Sequence, residues 1–259
     1  MKISIITINL NNGDGLQKTI ESVVNQNYKD FEYIIIDGGS KDDSIDIINK
    51  YRNNITSWVS EKDNGIYHAM NKGWKKALGE YCIFLNSGDT LLNQEILKSV
   101  VPYLSEDQTI IFGDLILRYK DRDIEAIHPS RISIFDFMIH ASYPHQATFI
   151  NTKLLHELNG YDENFRIISD WLFFLRATIE KKISPLKIPH VVSVYDMNGI
   201  SSINSKQREE EIVKALEHYF PYLIADKMKS KELQYFKLSR PHQFLKRILL
   251  VLKRFKTIN

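Results

Sequence analysis

Acidic and amide side chains recur in this 259-residue chain where apolar runs stop. The run Met1–Ile8 carries Thr7 near its end and gives way to Asn9, and Phe31–Asp37 closes on Asp37. Thr56–Ser60 leads into Glu61 and Asp63, and Glu80–Asn86 runs into Asn86-Ser87-Gly88-Asp89. Such groups can hydrogen-bond a polar ligand, and a carboxylate can also take up a proton or hold a hard cation. Polar residues at strand ends also simply meet water. Asp170 by itself reads as an acidic residue favoured by the dipole of a helix N-terminus. Spacing alone does not separate these readings.

The elements that would carry these residues follow from periodicity. Met1–Ile8 and FEYIIID are strands, the second nearly continuous in apolar residues, as expected where both sheet faces are covered. Leu16, Ile20, Val23 and Val24 form the stripe of an amphipathic helix. Ser40 is expected to cap a helix carrying Ile45, Ile48 and Tyr51, with Asp43 three residues on. A helix after Gly65 is expected to stop at Gly79, with EYCIFLN following as a buried strand. This β-α-β-α-β-α-β order predicts a parallel, doubly wound sheet, whose ligands bind outside the carboxyl ends of its strands. From Thr109 the pattern turns mixed. The strands TIIFGDLIL and IEAIH come first, then helices at Ser133–His140, Thr152–Leu158 and Asp170–Lys181, and a strand at His190–Asp196. We divide the chain into one domain over residues 1–235 (1–115 and 116–235 as its halves) and a tail over 236–259.

Composition narrows the class. Hydrophobic residues make up 43% and charged residues 25%, which suits a globular chain with a full core. The single cysteine, Cys82, excludes an internal disulfide or a multi-thiolate metal site and fits a reducing, cytoplasmic compartment. The N-terminus reads as a strand rather than a signal peptide, and no run approaches the length of a spanning helix. Net charge is +2, yet the seven basic residues after Glu232 meet no acidic one, leaving −5 on the rest of the chain. In the tail, Phe244, Leu245, Ile248, Val251, Leu252 and Phe255 share one helical face, while Lys246, Arg247, Lys253 and Arg254 gather on another. Residues 240–259 are therefore expected to form a basic amphipathic helix that meets an anionic membrane surface, or whose apolar stripe packs on the body. No basic patch interleaved with aromatics marks the body, so nucleic acid is not an expected partner. No phosphate-gripping glycine loop, GxSxG or HExxH occurs, and His68, His128, His140 and His145 lack metal-ligand spacing.

Six segments, taken together, resemble the family 2 glycosyltransferases of GT-A fold across residues 2–235. They are SIITINLNN, YIIIDGGSKDDS, SEKDNGIYHAMNKGWKKALGEY, CIFLNSGDTL, PHQATFI and NGYDENFRIISDWLFFLR, and they look most like the colanic-acid and O-antigen subgroup. The resemblance implies an inverting transfer from a nucleotide-diphosphate sugar, with UDP favoured, to a glycan or lipid-linked acceptor hydroxyl. Surface-polysaccharide assembly at the inner face of the cell membrane is the implied setting. It places Asp37 against the nucleotide base with Thr7 beside it, and Asn9, Asp63, Asn71, Lys72, Asn86 and Ser87 along the donor. His145 and Gln146 fall on the acceptor side, and Asp170 is the implied catalytic base. The family's Asp-x-Asp motif is altered here. Asn86 stands for the first Asp and Gly88 for the second, so Asp89 is the carboxylate left to hold Mg²⁺ or Mn²⁺. As an alternative, Asp89 caps the segment that follows it.

Two competing readings are weighed against this one. A sugar nucleotidylyltransferase would want an arginine- and glycine-rich loop after the first strand, and Asn9-Leu10-Asn11-Asn12 has no positive charge before Lys18. A non-catalytic subunit docking at a membrane is favoured by the altered metal motif alone.

Overall fold

Strand and helix alternate through the first half as the periodicity requires. The order is β1 (Ile3–Asn9), α1 (Gly13–Val24), β2 (Phe31–Asp37), α2 (Ser44–Lys50), β3 (Ser57–Ser60), α3 (Ile66–Lys76) and β4 (Tyr81–Asn86). A two-residue strand, β5 (Thr90–Leu91), and a short helix, α4 (Ile96–Val100), lead to the hairpin β6 (Ile110–Arg118) and β7 (Asp123–Ala126). Then come α5 (Ile134–Met138), β8 (Thr148–Asn151), α6 (Thr152–Leu158), α7 (Ser169–Ile179), β9 (Leu186–Asp196) and α8 (Ser205–Tyr219). This computed structural model describes residues 1–139, 141–197, 205–225 and 227–228. His140, the boundary expected at residue 235 and the tail over 236–259 lie outside the described residues.

One nine-stranded sheet organises the chain, in the order β3-β2-β1-β4-β8-β6-β9-β5, with β7 paired to β6. The first four strands are parallel, with Asn9 opposite Asp37 and Asp37 opposite Ser60, so their carboxyl ends align. β8 joins β4 antiparallel, β6 runs antiparallel to β8, and β9 runs parallel to β6. The doubly wound half and the mixed half expected from sequence are both present, and their seam lies between β4 and β8.

Both faces of the sheet are covered. Ile3 and Ile5 pack with Leu16 and Ile20 of α1 and Ile47 and Ile48 of α2, while Ile6 and Ile8 pack with Tyr67, Met70 and Trp74 of α3. Burial of a whole aliphatic side chain is worth about 1.5–3 kcal/mol, so an unbroken apolar strand is stable only with such double cover. Gly73 lets α3 lie flat on β1, because a Cβ there would come within 2.4 Å of Ile6 Cγ2. Among the described residues no helix is long and apolar enough to cross a membrane.

Three local expectations are corrected. The Ser40 hydroxyl bonds Asp37 rather than capping a helix, and α2 begins four residues later with Asp43 at its N-cap. α3 stops at Lys76, where Ala77 turns extended. Gly79 instead serves close approach, since a Cβ would lie 2.6 Å from Ser4 Oγ. Asp89 caps no helix, because β5 follows it directly.

Candidate active site

Asp170 sits in the first turn of α7, at the seam between the two halves. Its Oδ1 accepts a hydrogen bond from the Tyr67 hydroxyl of α3 at 2.8 Å, and its Oδ2 lies 3.2 Å from His145 Nδ1. His145 opens a short 3-10 turn, His145–Ala147, that feeds β8. Burial raises the Asp170 carboxyl, but His145 and Tyr67 outweigh it and hold the group below the usual carboxylate range. Asp170 is therefore ionised throughout the neutral range. Glu211 of α8 fixes the approach to this helix by accepting the backbone N–H groups of Arg166 and Ile167 at 3.1 and 2.9 Å. A cavity of about 340 Å³ opens over the pair, lined by Tyr67, Asn86, His145, Gln146, Asp170, Trp171 and Arg208 among others. That is enough room for a sugar-sized ligand.

Across the cavity, Asn86-Ser87-Gly88-Asp89 forms a tight turn. Asp89 is 2% exposed, and its two oxygens accept the backbone N–H groups of Asn86 and Asp196, each at 3.1 Å. Burial pushes its carboxyl up to about 7, against the opposing pull of His145. The Thr19 hydroxyl accepts the Gly88 N–H at 2.9 Å and lies 2.7 Å from the Asp89 carbonyl oxygen. Ser87 is tied to α1, its carbonyl receiving the Asn12 amide at 2.9 Å. Gly88 has φ +108, and a Cβ there would come 3.2 Å from Asp196 Oδ2. Asn86 Oδ1 is buried without a partner. Among the described residues no group of three or more His, Cys, Asp or Glu is disposed to hold a metal ion. The burial of Asp89 and the two N–H groups its oxygens accept revise the expectation that it offers a carboxylate to a cation. Asp89 braces the turn, with Asn86 and Asp196 beside it. A cation that draws most of its shell from phosphates and water needs little more.

The ends of β1, β2 and β3 align beside one another, and their side chains are not among those lining the cavity over Asp170. Asp37 is fully buried and accepts from five donors: Asn9 Nδ2, the N–H groups of Gly39 and Ser40, and the hydroxyls of Ser40 and Ser60. Burial raises its carboxyl, yet these donors together hold it below the usual range. Thr7 is likewise fully buried, 3.0 Å from the Tyr33 hydroxyl. Both residues shape this crevice from behind rather than line it, which corrects their expected contact with a base. Asn9 Nδ2 bonds Asp37 directly at 2.8 Å and Ser44 Oγ at 2.9 Å, and its Oδ1 is buried without a partner. Asp63 does reach the crevice rim, 3.1 Å from where a Cβ on Gly38 would stand. It is paired with Lys72 at 2.5 Å, and Lys72 also meets Glu61 at 2.8 Å. Burial lowers the Lys72 ammonium, but the two carboxylates raise it further, so it stays charged.

Asn71 belongs elsewhere. Its amide donates to Tyr161 O and Glu163 Oε1 and accepts from Tyr161 N and Trp74 Nε1, all within 2.9 Å. Three of these bonds clamp α3 to the loop before α7 and the fourth, from Trp74, lies within α3; the residue faces a separate cavity of about 600 Å³. Asn71 is 4% exposed. Sequence reasoning missed Tyr67 and Asp196. Nothing local marks them, since Tyr67 lies 103 residues from Asp170 and Asp196 lies 107 from Asp89.

Known proteins resemble this chain in sequence and in fold. The family model described as Glycosyl transferase family 2 matches residues 4–178. An uncharacterized glycosyltransferase of Mycobacterium tuberculosis is 34% identical over 204 residues, covering 77% of each chain. A PGL/p-HBAD biosynthesis glycosyltransferase of Mycobacterium bovis is 28% identical over 82% of this chain and 83% of its own. Among solved structures, Staphylococcus aureus TarS superposes with a TM-score of 0.69 at 20% identity, over 94% of this chain but only 45% of TarS. TarS 1–349 in complex with UDP-GlcNAc gives the same TM-score over 75% of that chain. A Pyrobaculum calidifontis mannosyltransferase in complex with GDP-Man and Mn²⁺ gives 0.61 at 14% identity, over 97% of this chain and 80% of its own. These structural likenesses support the GT-A-like fold.

Proposed function

The chain belongs to glycosyl transferase family 2 and is a glycosyltransferase, and on that premise we propose that it moves a sugar from UDP to an acceptor hydroxyl with inversion. The acceptor we propose is a glycan or lipid-linked unit of a surface polysaccharide. The parallel half, residues 1–115, holds the nucleotide, and residues 116–235 hold the acceptor. The observation that carries this reading is the half-buried, ionised Asp170, set with His145 on one cavity with Asn86 of the Asn86–Asp89 turn. A donor diphosphate at that turn would put the anomeric carbon between the two groups, as a single in-line displacement requires. UDP is favoured because TarS 1–349 was solved with UDP and UDP-GlcNAc.

Asp63 and Lys72 at the crevice rim would hold the nucleotide and diphosphate, with Asn9, Asp37 and Thr7 fixing the strand ends behind them. A divalent cation, Mg²⁺ or Mn²⁺, would be held at the turn by Asn86 and Asp196, with Ser87 beside them. Asp89 fixes both through their N–H groups. When bound, the cation offsets charge on the leaving diphosphate. The residues after Glu232 would bring the enzyme to an anionic membrane.

The test is release of UDP when the chain is incubated with UDP-sugars. Asp170→Asn keeps the size of the side chain but removes its charge, so turnover should fall about 10²–10⁴-fold while UDP-sugar affinity changes little. Equal turnover in the variant would refute the role given to Asp170.

A further inference from the structure

His145 stands in an arrangement that its expected acceptor-side role does not explain. Its Nδ1 faces Asp170 Oδ2 at 3.2 Å, while its Nε2 is buried and has no hydrogen-bond partner. The ring lines the same cavity as Tyr67, Asp170 and Asn86, the first residue of the turn proposed to receive the diphosphate. An imidazole held at Nδ1 by a carboxylate carries its proton there and leaves a lone pair on Nε2. Asp170 is placed differently. One of its oxygens takes the Tyr67 hydroxyl and the other faces His145, so it already has a donor on each side. Both donors stabilise the charged carboxylate, which makes it a weak base. Among the described residues two imidazole nitrogens without a hydrogen-bond partner belong to residues lining this cavity, His145 Nε2 and His128 Nδ1; His128 Nδ1 stands 3.6 Å from Asp114 Oδ1, whereas His145 Nε2 is on the ring that faces Asp170.

We infer that His145 Nε2 is the atom that takes the acceptor's proton, with Asp170 orienting the ring. The inference rests on the transferase reading above. In the step, the acceptor O–H proton passes to Nε2 as the oxygen's electron pair bonds the anomeric carbon. The bond from that carbon to the diphosphate oxygen breaks, and its pair leaves with UDP. The imidazolium, balanced by Asp170, then gives its proton to water. Tyr67 and Asp170 act through His145 as positioning residues, a carboxylate–imidazole relation known from other group-transfer sites.

The experiment uses the full chain and UDP-glucose, UDP-galactose, UDP-GlcNAc and UDP-GalNAc, reading UDP release with water or added glycan as acceptor. His145→Gln keeps an N–H for Asp170 and a similar volume but has no basic nitrogen. It should lose about 10²–10⁴-fold in turnover, with UDP and Mn²⁺ affinities and melting temperature unchanged. His145→Gly should be slow and should regain turnover when imidazole is added, whereas Asp170→Asn should not respond to imidazole. Near wild-type turnover in His145→Gln would overturn the inference and leave Asp170 as the direct acceptor. Lost Mn²⁺ affinity would make His145 a metal ligand and overturn it equally, as would a slow, folded His145→Gly that imidazole does not restore. If His145→Gly does not fold, the Gln variant with its melting temperature decides. No UDP release by the wild-type chain from any donor would instead sink the transferase reading itself.

Discussion

Asp89 is buried and Asp170 half-buried, 81 positions apart in sequence, and their surroundings give them opposite characters. Asp170 has two side-chain partners that favour its charge, and Asp89 has two backbone N–H groups in a site that disfavours charge. The strand-end pattern made Asp89 a candidate, and the family resemblance implied Asp170. Neither disclosed which would face a ligand, since that depends on partners about 100 residues away. The bond from the Asp196 N–H to Asp89 closes the turn onto β9. Asp89→Ala should therefore act on stability first. It would strand the buried N–H groups of Asn86 and Asp196, at about 1–3 kcal/mol each. We expect a lowered melting temperature with Mn²⁺ affinity falling alongside it, and Asp89→Asn should recover part of the stability. A variant that melts like wild type but binds no Mn²⁺ would make Asp89 a direct ligand and refute the bracing role.

At the scale of elements, the parallel half was legible because β-branched runs and 3.6-residue stripes carry their own signal. β1, β2, α1 and β4 appear where the pattern put them, within a residue or two. Element ends were less legible, and the reason is tertiary. Ser40 has the chemistry of a cap, but a buried carboxylate three residues back competes for its hydroxyl. Gly79 has the chemistry of a helix stop, but it answers to Ser4 on the neighbouring strand. α8 went unread although Ile212, Ala215, Leu216 and Tyr219 have helical spacing, because so many charges surround them. α3 gives the sharpest test at this scale, since Asn71 ties it to the loop carrying the approach to Asp170. Asn71→Ala would leave Tyr161 N–H, Tyr161 C=O and Trp74 Nε1–H without their partner, in a site where Asn71 is 4% exposed. With about 1–3 kcal/mol for each stranded group, it should unfold well below the wild-type temperature. UDP-sugar affinity, measured well below that transition, should be unchanged. A large affinity loss with normal melting would restore Asn71 to the donor site.

The molecule as a whole places its chemistry at a change in strand direction. Tyr67 comes from the parallel half and Asp170 from the mixed half, and they meet beside the seam where β8 joins β4 antiparallel. Charge is divided as sharply as the sheet. The chain up to Glu232 carries −5 and would be repelled by an anionic surface, whereas the residues after it carry +7. Near such a surface each basic residue is worth about 1 kcal/mol, and salt screens this attraction over a Debye length of about 8 Å at physiological ionic strength. Removing residues 240–259 deletes six of those seven charges. The full chain should therefore sediment with phosphatidylglycerol vesicles, stay free of phosphatidylcholine vesicles, and be released by added NaCl. The truncated chain should stay in solution with both, while its melting temperature and UDP release from a soluble acceptor reaction are kept. Unfolding or aggregation of the truncated chain would mean instead that Phe244, Leu245, Ile248, Val251, Leu252 and Phe255 belong to the core of the body. Vesicle binding that survives truncation would move the membrane contact to the folded domain, despite its negative charge.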